Sequence, residues 1–140
     1  MTEIRDIMTK DVITINHNES VLKAAEMMSD LNIGCLVVEI DNKVCGIITE
    51  RDIITKVICR NRNPKVTRVK EIMSSPLVTI HPLASLEDAV RIFNETGFKR
   101  LVVTSGDSLE GIVSTEDLIA AETRFIALLE RYIQILKSRK

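Results

Sequence analysis

Two seven-residue stretches, Gly46-Ile-Ile-Thr49-Glu-Arg-Asp52 and Gly111-Ile-Val-Ser114-Thr-Glu-Asp117, repeat one polar outline: a glycine, a hydroxyl three positions on, and a carboxylate three further. A glycine in a strand lets another group approach the backbone closely. A helix that opens at Thr49 or Ser114 presents unpaired N–H groups and a partial positive charge, which suit a phosphate. The carboxylate can accept two hydrogen bonds from a ribose diol, and the hydroxyl can donate to a phosphate oxygen. The same residues also meet a plainer need, because Thr-x-x-Asp and Ser-x-x-Asp at a helix start are variants of the capping box. Ser85-Leu-Glu-Asp88 has that spacing without the glycine and reads as a cap alone. From the residues, both readings stand.

Other chemistry is not visible in the sequence. His17 and His81 have no partner at metal-ligand spacing, and there is no Cys-x-x-Cys, so no metal site is expected. A Gly-x-Ser-x-Gly elbow, a Walker loop and a Gly-x-Gly-x-x-Gly turn are all missing, and the acidic residues are scattered. The chain therefore reads as a binding module, not an enzyme, with no catalytic cofactor.

These motifs must be held by a core, and 140 residues with 45% hydrophobic content can build one. A net charge of −1 gives no overall pull toward nucleic acid or acidic membranes. Cys35, Cys45 and Cys59 have mostly apolar neighbours and read as reduced core residues. The opening Met1-Thr-Glu-Ile-Arg-Asp6 lacks the apolar run of a signal peptide, and no uncharged stretch is long enough to cross a bilayer. A cytoplasmic protein is expected.

Sliding the sequence against itself yields one clear offset, 65 residues, with 14 identities in 53 positions and no gap. Thr2, Ile7-Met8, Thr14-Ile15, Ser20, Ala24, Leu36-Val37-Val38, Gly46-Ile47, Asp52 and Ile54 all recur. The offset divides the chain into repeats at 2–54 and 67–119, a linker at 55–66 and a tail at 120–140. Each repeat changes periodicity in the same order. Val12 to Ile15 and Leu77 to Ile80 suit a first strand. Amphipathic helices follow, with apolar steps at Val21, Ala24, Ala25, Met28 and Leu31, and at Leu86, Ala89, Val90 and Phe93; Ser20 and Ser85 stand as their N-caps. Cys35 to Ile40 with Val44 to Ile48, and Leu101 to Thr104 with Leu109 to Val113, read as hairpins. A second helix opens at Thr49 or Ser114. The predicted fold is α+β, two β-α-β-β-α repeats packed with pseudo-twofold symmetry.

The ordered set Ile-Met-Thr or Ile-Met-Ser, Val-Ile-Thr-Ile or Leu-Val-Thr-Ile, amphipathic helix, Leu-Val-Val hairpin and Gly-Ile-Ile-Thr-Glu-Arg-Asp-Ile resembles a tandem pair of cystathionine β-synthase (CBS) domains, a Bateman module. The resemblance covers residues 2 to 119. It implies a regulatory sensor of an adenine ligand, AMP, ADP or ATP, or S-adenosylmethionine in some members, held in clefts between the repeats. Carried over by position, it implies that Asp52 with Thr49 and Asp117 with Ser114 serve the ribose and phosphate. It further implies that Lys99 and Arg100 hold phosphate and that the surroundings of Thr14-Ile15 and Thr79-Ile80 line the adenine pockets. Gly34-Cys35 stands where the second repeat has Lys99-Arg100, so the two clefts need not bind equally.

Lys56, Arg60, Arg62, Lys65, Arg68 and Lys70 form a basic stretch with no acidic residue and no aromatic for base stacking. It is expected to be a solvated linker and helix face, with no tight binding of nucleic acid. In the tail, Leu118, Ala121, Phe125, Leu128, Tyr132 and Ile135 form one apolar row beside Ile119, Ile126, Leu129, Ile133 and Leu136. A helix from about Thr115 to Lys137 carrying both rows either packs across its own domain or joins a homodimer. The leading function is thus an adenine-nucleotide sensor acting on a regulated protein partner. The alternative is a dimerisation module with vestigial clefts.

Overall fold

The computed structural model describes residues 2–75 and 77–138. Local sequence signals set most of its elements. Ser20 caps α1 (Val21–Leu31) by accepting from the Lys23 amide at 3.1 Å, and Ser85 caps α4 (Leu86–Thr96) by accepting from the Asp88 amide at 3.1 Å. The helices end on left-handed residues, Asn32 (φ 53°) and Gly97 (φ 73°), a conformation that closes the last turn.

The first sheet orders β1 (Thr14–Asn16), β2 (Cys35–Ile40) and β3 (Lys43–Thr49); the second orders β4 (Thr79–Ile80), β5 (Arg100–Ser105) and β6 (Ser108–Ser114). In each sheet the first strand pairs parallel with the second and the hairpin pairs antiparallel. Asp41 and Asn42 both take positive φ (49° and 66°), the geometry of a two-residue hairpin turn that follows strand twist. The first strands begin two residues later than the hydrophobic runs predict, at Thr14 and Thr79.

Helix α2 (Glu50–Ile53) continues as a π-helical stretch, Ile54–Ile58, that buries Val57. A short helix α3 (Val69–Ile72) precedes the second sheet, and α5 (Thr115–Ser138) closes the described chain.

Two hydrophobic clusters form, and each takes residues from the other repeat. Val69 and Ile72 complete the first with Ile15, Val21, Leu36 and Val38; Ile4 completes the second with Ile80, Phe93, Leu101 and Val103. The backbone confirms this exchange. Ile4 N donates to Ala84 O and Val69 N to Glu19 O, each at 2.9 Å; Thr9 pairs with Ile112, and Ser74 with Ile47. Under the 65-residue offset each contact maps onto its mate with the repeats interchanged, which is the expected pseudo-twofold. Val37 and Val102 are buried on the sheet faces opposite the cores, so the Leu-Val-Val strands are covered on both sides.

One expectation fails. Cys35 and Cys45 are half-buried free thiols, but Cys59 is exposed. It lies just past the π-helical stretch, where its neighbour Ile58 is also exposed.

Candidate functional site

Hairpin register sets the site. It pairs Arg100 with Ser114, as it pairs Cys35 with Thr49, and the Thr115 amide donates to Lys99 O at 3.0 Å. The basic pair and the helix-opening hydroxyl therefore lie at one end of one ladder. Lys99, Arg100, Ser114 and Asp117 line a common cavity of about 290 Å³. The first lobe supplies Gly34 and Cys35, and the segment ahead of β1 supplies Thr9, Asp11, Val12 and Ile13. The volume stands at the lower edge of the roughly 300–1,000 Å³ common for small-molecule sites.

Arg100 reaches across the lobes. A Cβ placed on Gly34 would lie 3.3 Å from Arg100 Nη2 and 2.8 Å from Glu50 Oε1. The asymmetry between Gly34-Cys35 and Lys99-Arg100 is thus complementary, since the missing side chain leaves room for the guanidinium. Burial pushes the Cys35 thiol up from its ordinary pKa, Arg100 opposes that rise, and Glu50 adds to it.

The two motif carboxylates differ. Asp52 is 8% exposed; its Oδ2 accepts from Thr49 N (2.9 Å) and Thr49 Oγ1 (3.1 Å), and its Oδ1 pairs with Lys56 Nζ at 3.1 Å. Asp117 accepts from Ser114 N at 2.8 Å through Oδ2, and its amide donates to Ser114 Oγ at 3.1 Å. Its other oxygen has no protein partner among the described residues. Ser85 and Asp88 make the same reciprocal bonds, and those bonds, led by the Ser85 backbone, hold the Asp88 carboxyl below its ordinary pKa. Capping geometry is therefore common to all three motifs, and what distinguishes Asp117 is its open oxygen beside a cavity.

The motif glycines have a structural reason. A Cβ on Gly111 would lie 2.6 Å from Thr9 O and 2.8 Å from Met8 Sδ; one on Gly46 would lie 2.8 Å from Met73 Sδ and 2.9 Å from Ser74 O. The group that approaches these strands is the exchanged segment of the other repeat.

The remaining expected residues sit elsewhere. Ile15 and Ile80 are core residues, Thr14 is half-buried and Thr79 is exposed. Val12 and Ile13, two positions earlier, face the cavity instead, and Thr9 and Asp11 join them because the Thr9–Ile112 pairing carries that segment past the second lobe. The one sequence signal for this was the apolar run from Val12, which exceeds what the short strand uses.

Among the described residues no group of three or more His, Cys, Asp or Glu side chains is placed to hold a metal, and no helix is long and apolar enough to cross a membrane. Three of the six cations of the basic stretch 56–70 are engaged internally: Lys56 with Asp52 and Ile72 O, Arg62 with Glu71 at 2.6 Å, and Arg68 with Asn18 O.

Two sheet-and-helix repeats that exchange their leading segments around a cleft of mixed polar and apolar lining define a tandem α+β module. The chain belongs to the CBS domain family, which matches twice, at residues 4–58 and 69–124. It is 39% identical over 143 residues to the protein MJ1404 of Methanocaldococcus jannaschii, covering 93% of this chain and 33% of that one. It is 34% identical over 118 residues to the CBS domain-containing protein YhcV of Bacillus subtilis, covering 84% of each. The hexameric CBS-CP12 protein of bloom-forming cyanobacteria matches with a TM-score of 0.79 at 34% identity, over 85% of this chain and 70% of that one. The chain thus spans a third of the first relative's length and larger shares of the other two. CBS-domain pairs are in general regulatory, ligand-binding modules.

Proposed function

We propose that this chain is a non-catalytic sensor of an adenine nucleotide, AMP, ADP or ATP, bound in the cleft beside Asp117. The observation that carries this reading is the convergence of Lys99, Arg100, Ser114 and Asp117 on one cavity. The open oxygen of Asp117 is suited to accept from both ribose hydroxyls. Arg100 offers a planar fork of donors for phosphate oxygens and Lys99 a compact charge. Val12, Ile13, Ile33 and Ile112 supply apolar surface for a flat base. Residues from both lobes line the cleft, so a ligand there binds the lobes together and biases their arrangement. That change is what a regulated protein partner would read.

A thermal-shift panel of AMP, ADP, ATP, S-adenosylmethionine and NAD tests the reading, because a ligand that binds only the folded state raises the melting temperature. S-adenosylmethionine shares the adenosine but carries a sulfonium and an amino acid in place of phosphate. A shift with it alone would replace the nucleotide reading, and no shift with any of them would leave the dimerisation module.

That second function is favoured by α5, which has no buried residue and exposes Phe125, Leu128 and Tyr132 by 57–62%. Its first turns pack on the second core through Leu118, but from residue 122 onward every described residue is exposed, and a second copy of the chain is the proposed cover. Assembly and sensing are compatible, and the CBS-CP12 relative is itself hexameric.

A further inference from the structure

The two motif aspartates are equivalent in sequence but not in partners. Both oxygens of Asp52 are engaged, Oδ2 by Thr49 and Oδ1 by Lys56. Lys56 is itself anchored, since Nζ also donates to the Ile72 carbonyl at 3.0 Å on the exchanged helix α3. The ammonium thus bridges the motif carboxylate and the segment that crosses from the other repeat. Sixty-five residues on, the place of Lys56 is taken by Ala121, which has no donor to offer Asp117.

We infer that Lys56 occupies the first ribose position from within, so that the chain carries one open nucleotide site, at Asp117, and one that is self-occupied, at Asp52. A ribose diol can replace the hydrogen bonds of the ammonium but not its charge. Displacing Lys56 would leave a carboxylate that is 8% exposed without its counter-ion and the Ile72 carbonyl without its donor. At Asp117 nothing has to be displaced. Lys56 therefore determines how many nucleotides each chain accepts.

This inference rests on the nucleotide reading, and titration calorimetry with AMP and ATP tests the two separately. Wild-type chain should take one nucleotide. Lys56→Ala should take two, and so should Lys56→Met, which keeps the apolar stem. Lys56→Arg should stay at one, and Asp117→Asn should lower wild-type affinity at least about tenfold. Melting curves establish that each variant is folded. Two nucleotides on the wild-type chain, or one on both folded Lys56→Ala and Lys56→Met, would overturn the self-occupied site while leaving nucleotide sensing intact. No binding to the wild-type chain would overturn both.

Discussion

The amide nitrogen of Thr9 lies 2.8 Å from the carbonyl oxygen of Ile112, and Ile112 returns the bond at 3.0 Å. This pairing fastens the first segment of the chain to the last strand of the second sheet. Ile4, fully buried, enters the second core with that segment. Ile4→Ala should therefore cost about 2–5 kcal/mol, and the damage should appear far away in sequence. Hydrogen exchange should show protection lost mainly in β5 and β6; loss centred on β2 and β3 would contradict the exchanged packing.

The motif glycines should be intolerant for the same reason. Gly111→Ala sets a methyl 2.6 Å from a backbone oxygen, whereas Gly46→Ala meets Met73 Sδ at 2.8 Å and Ser74 O at 2.9 Å. Overpacking of this kind costs about 1–3 kcal/mol. Each methyl meets a methionine sulfur that can move and a backbone oxygen that cannot, and the Gly111 variant should melt lower because its backbone oxygen is nearer, Thr9 O at 2.6 Å against Ser74 O at 2.9 Å. Equal melting temperatures to wild type would show that the segments yield freely.

The repeat, its caps and its hairpins were legible because each is written in local residue types: Ser20 and Ser85, Asn42, the unbroken apolar run Leu36-Val37-Val38. Lys99, Arg100, Ser114 and Asp117 were each legible as candidates, but their place in one cleft was not, because either cleft between the repeats could receive the basic pair until the hairpin register is known. The exchange was not legible either. Ile4, Ile7 and Met8 match Val69, Ile72 and Met73 whether each set packs on its own repeat or on the other, so the offset is silent about the partner. Lys56 was hidden in a basic linker, since its contact with Asp52 depends on the helix continuing past Ile53 and on Ile72 arriving from the other repeat. Cys59 was misplaced because apolar neighbours suggest burial, and Ile58 beside it is 62% exposed.

Arg100 should act on the phosphate and little on the nucleoside. Arg100→Ala is expected to weaken AMP or ATP by about 1.5–3 kcal/mol, the range for a hydrogen bond to a charged group. Adenosine should lose much less. Calorimetry with both ligands checks it: equal losses would indicate a damaged fold, and no loss would remove Arg100 from the site.

The cysteines provide a probe that needs no substitution. Burial raises the Cys35 thiol pKa foremost, so less reactive thiolate is present at neutral pH, and the residue lines the cavity. Cys59 is exposed. Alkylation followed by peptide mass spectrometry should label Cys59 at least about tenfold faster than Cys35. Saturating nucleotide should slow Cys35 further and leave Cys59 unchanged. Protection of Cys59 in place of Cys35 would put the ligand elsewhere.

The tail makes the last prediction. Helix α5 runs 24 residues, about 36 Å, and none of them is buried. Phe125, Ile126, Leu128, Leu129, Tyr132, Ile133, Ile135 and Leu136 are each 44–62% exposed, so apolar surface extends around the helix beyond any single face. A contiguous apolar patch of this kind marks an interaction surface, and alternating steps of three and four along Phe125, Leu128, Tyr132 and Ile135 fit a helix-to-helix seam. If a second copy covers it, light scattering should give a dimer or larger for the full chain and a monomer for a chain ending at Arg124. Replacing Leu128 and Tyr132 together by Ser in the full chain should have the same effect without shortening the helix. A monomeric full-length chain would exclude self-association, and a shortened chain that remains dimeric would move the interface to the repeats.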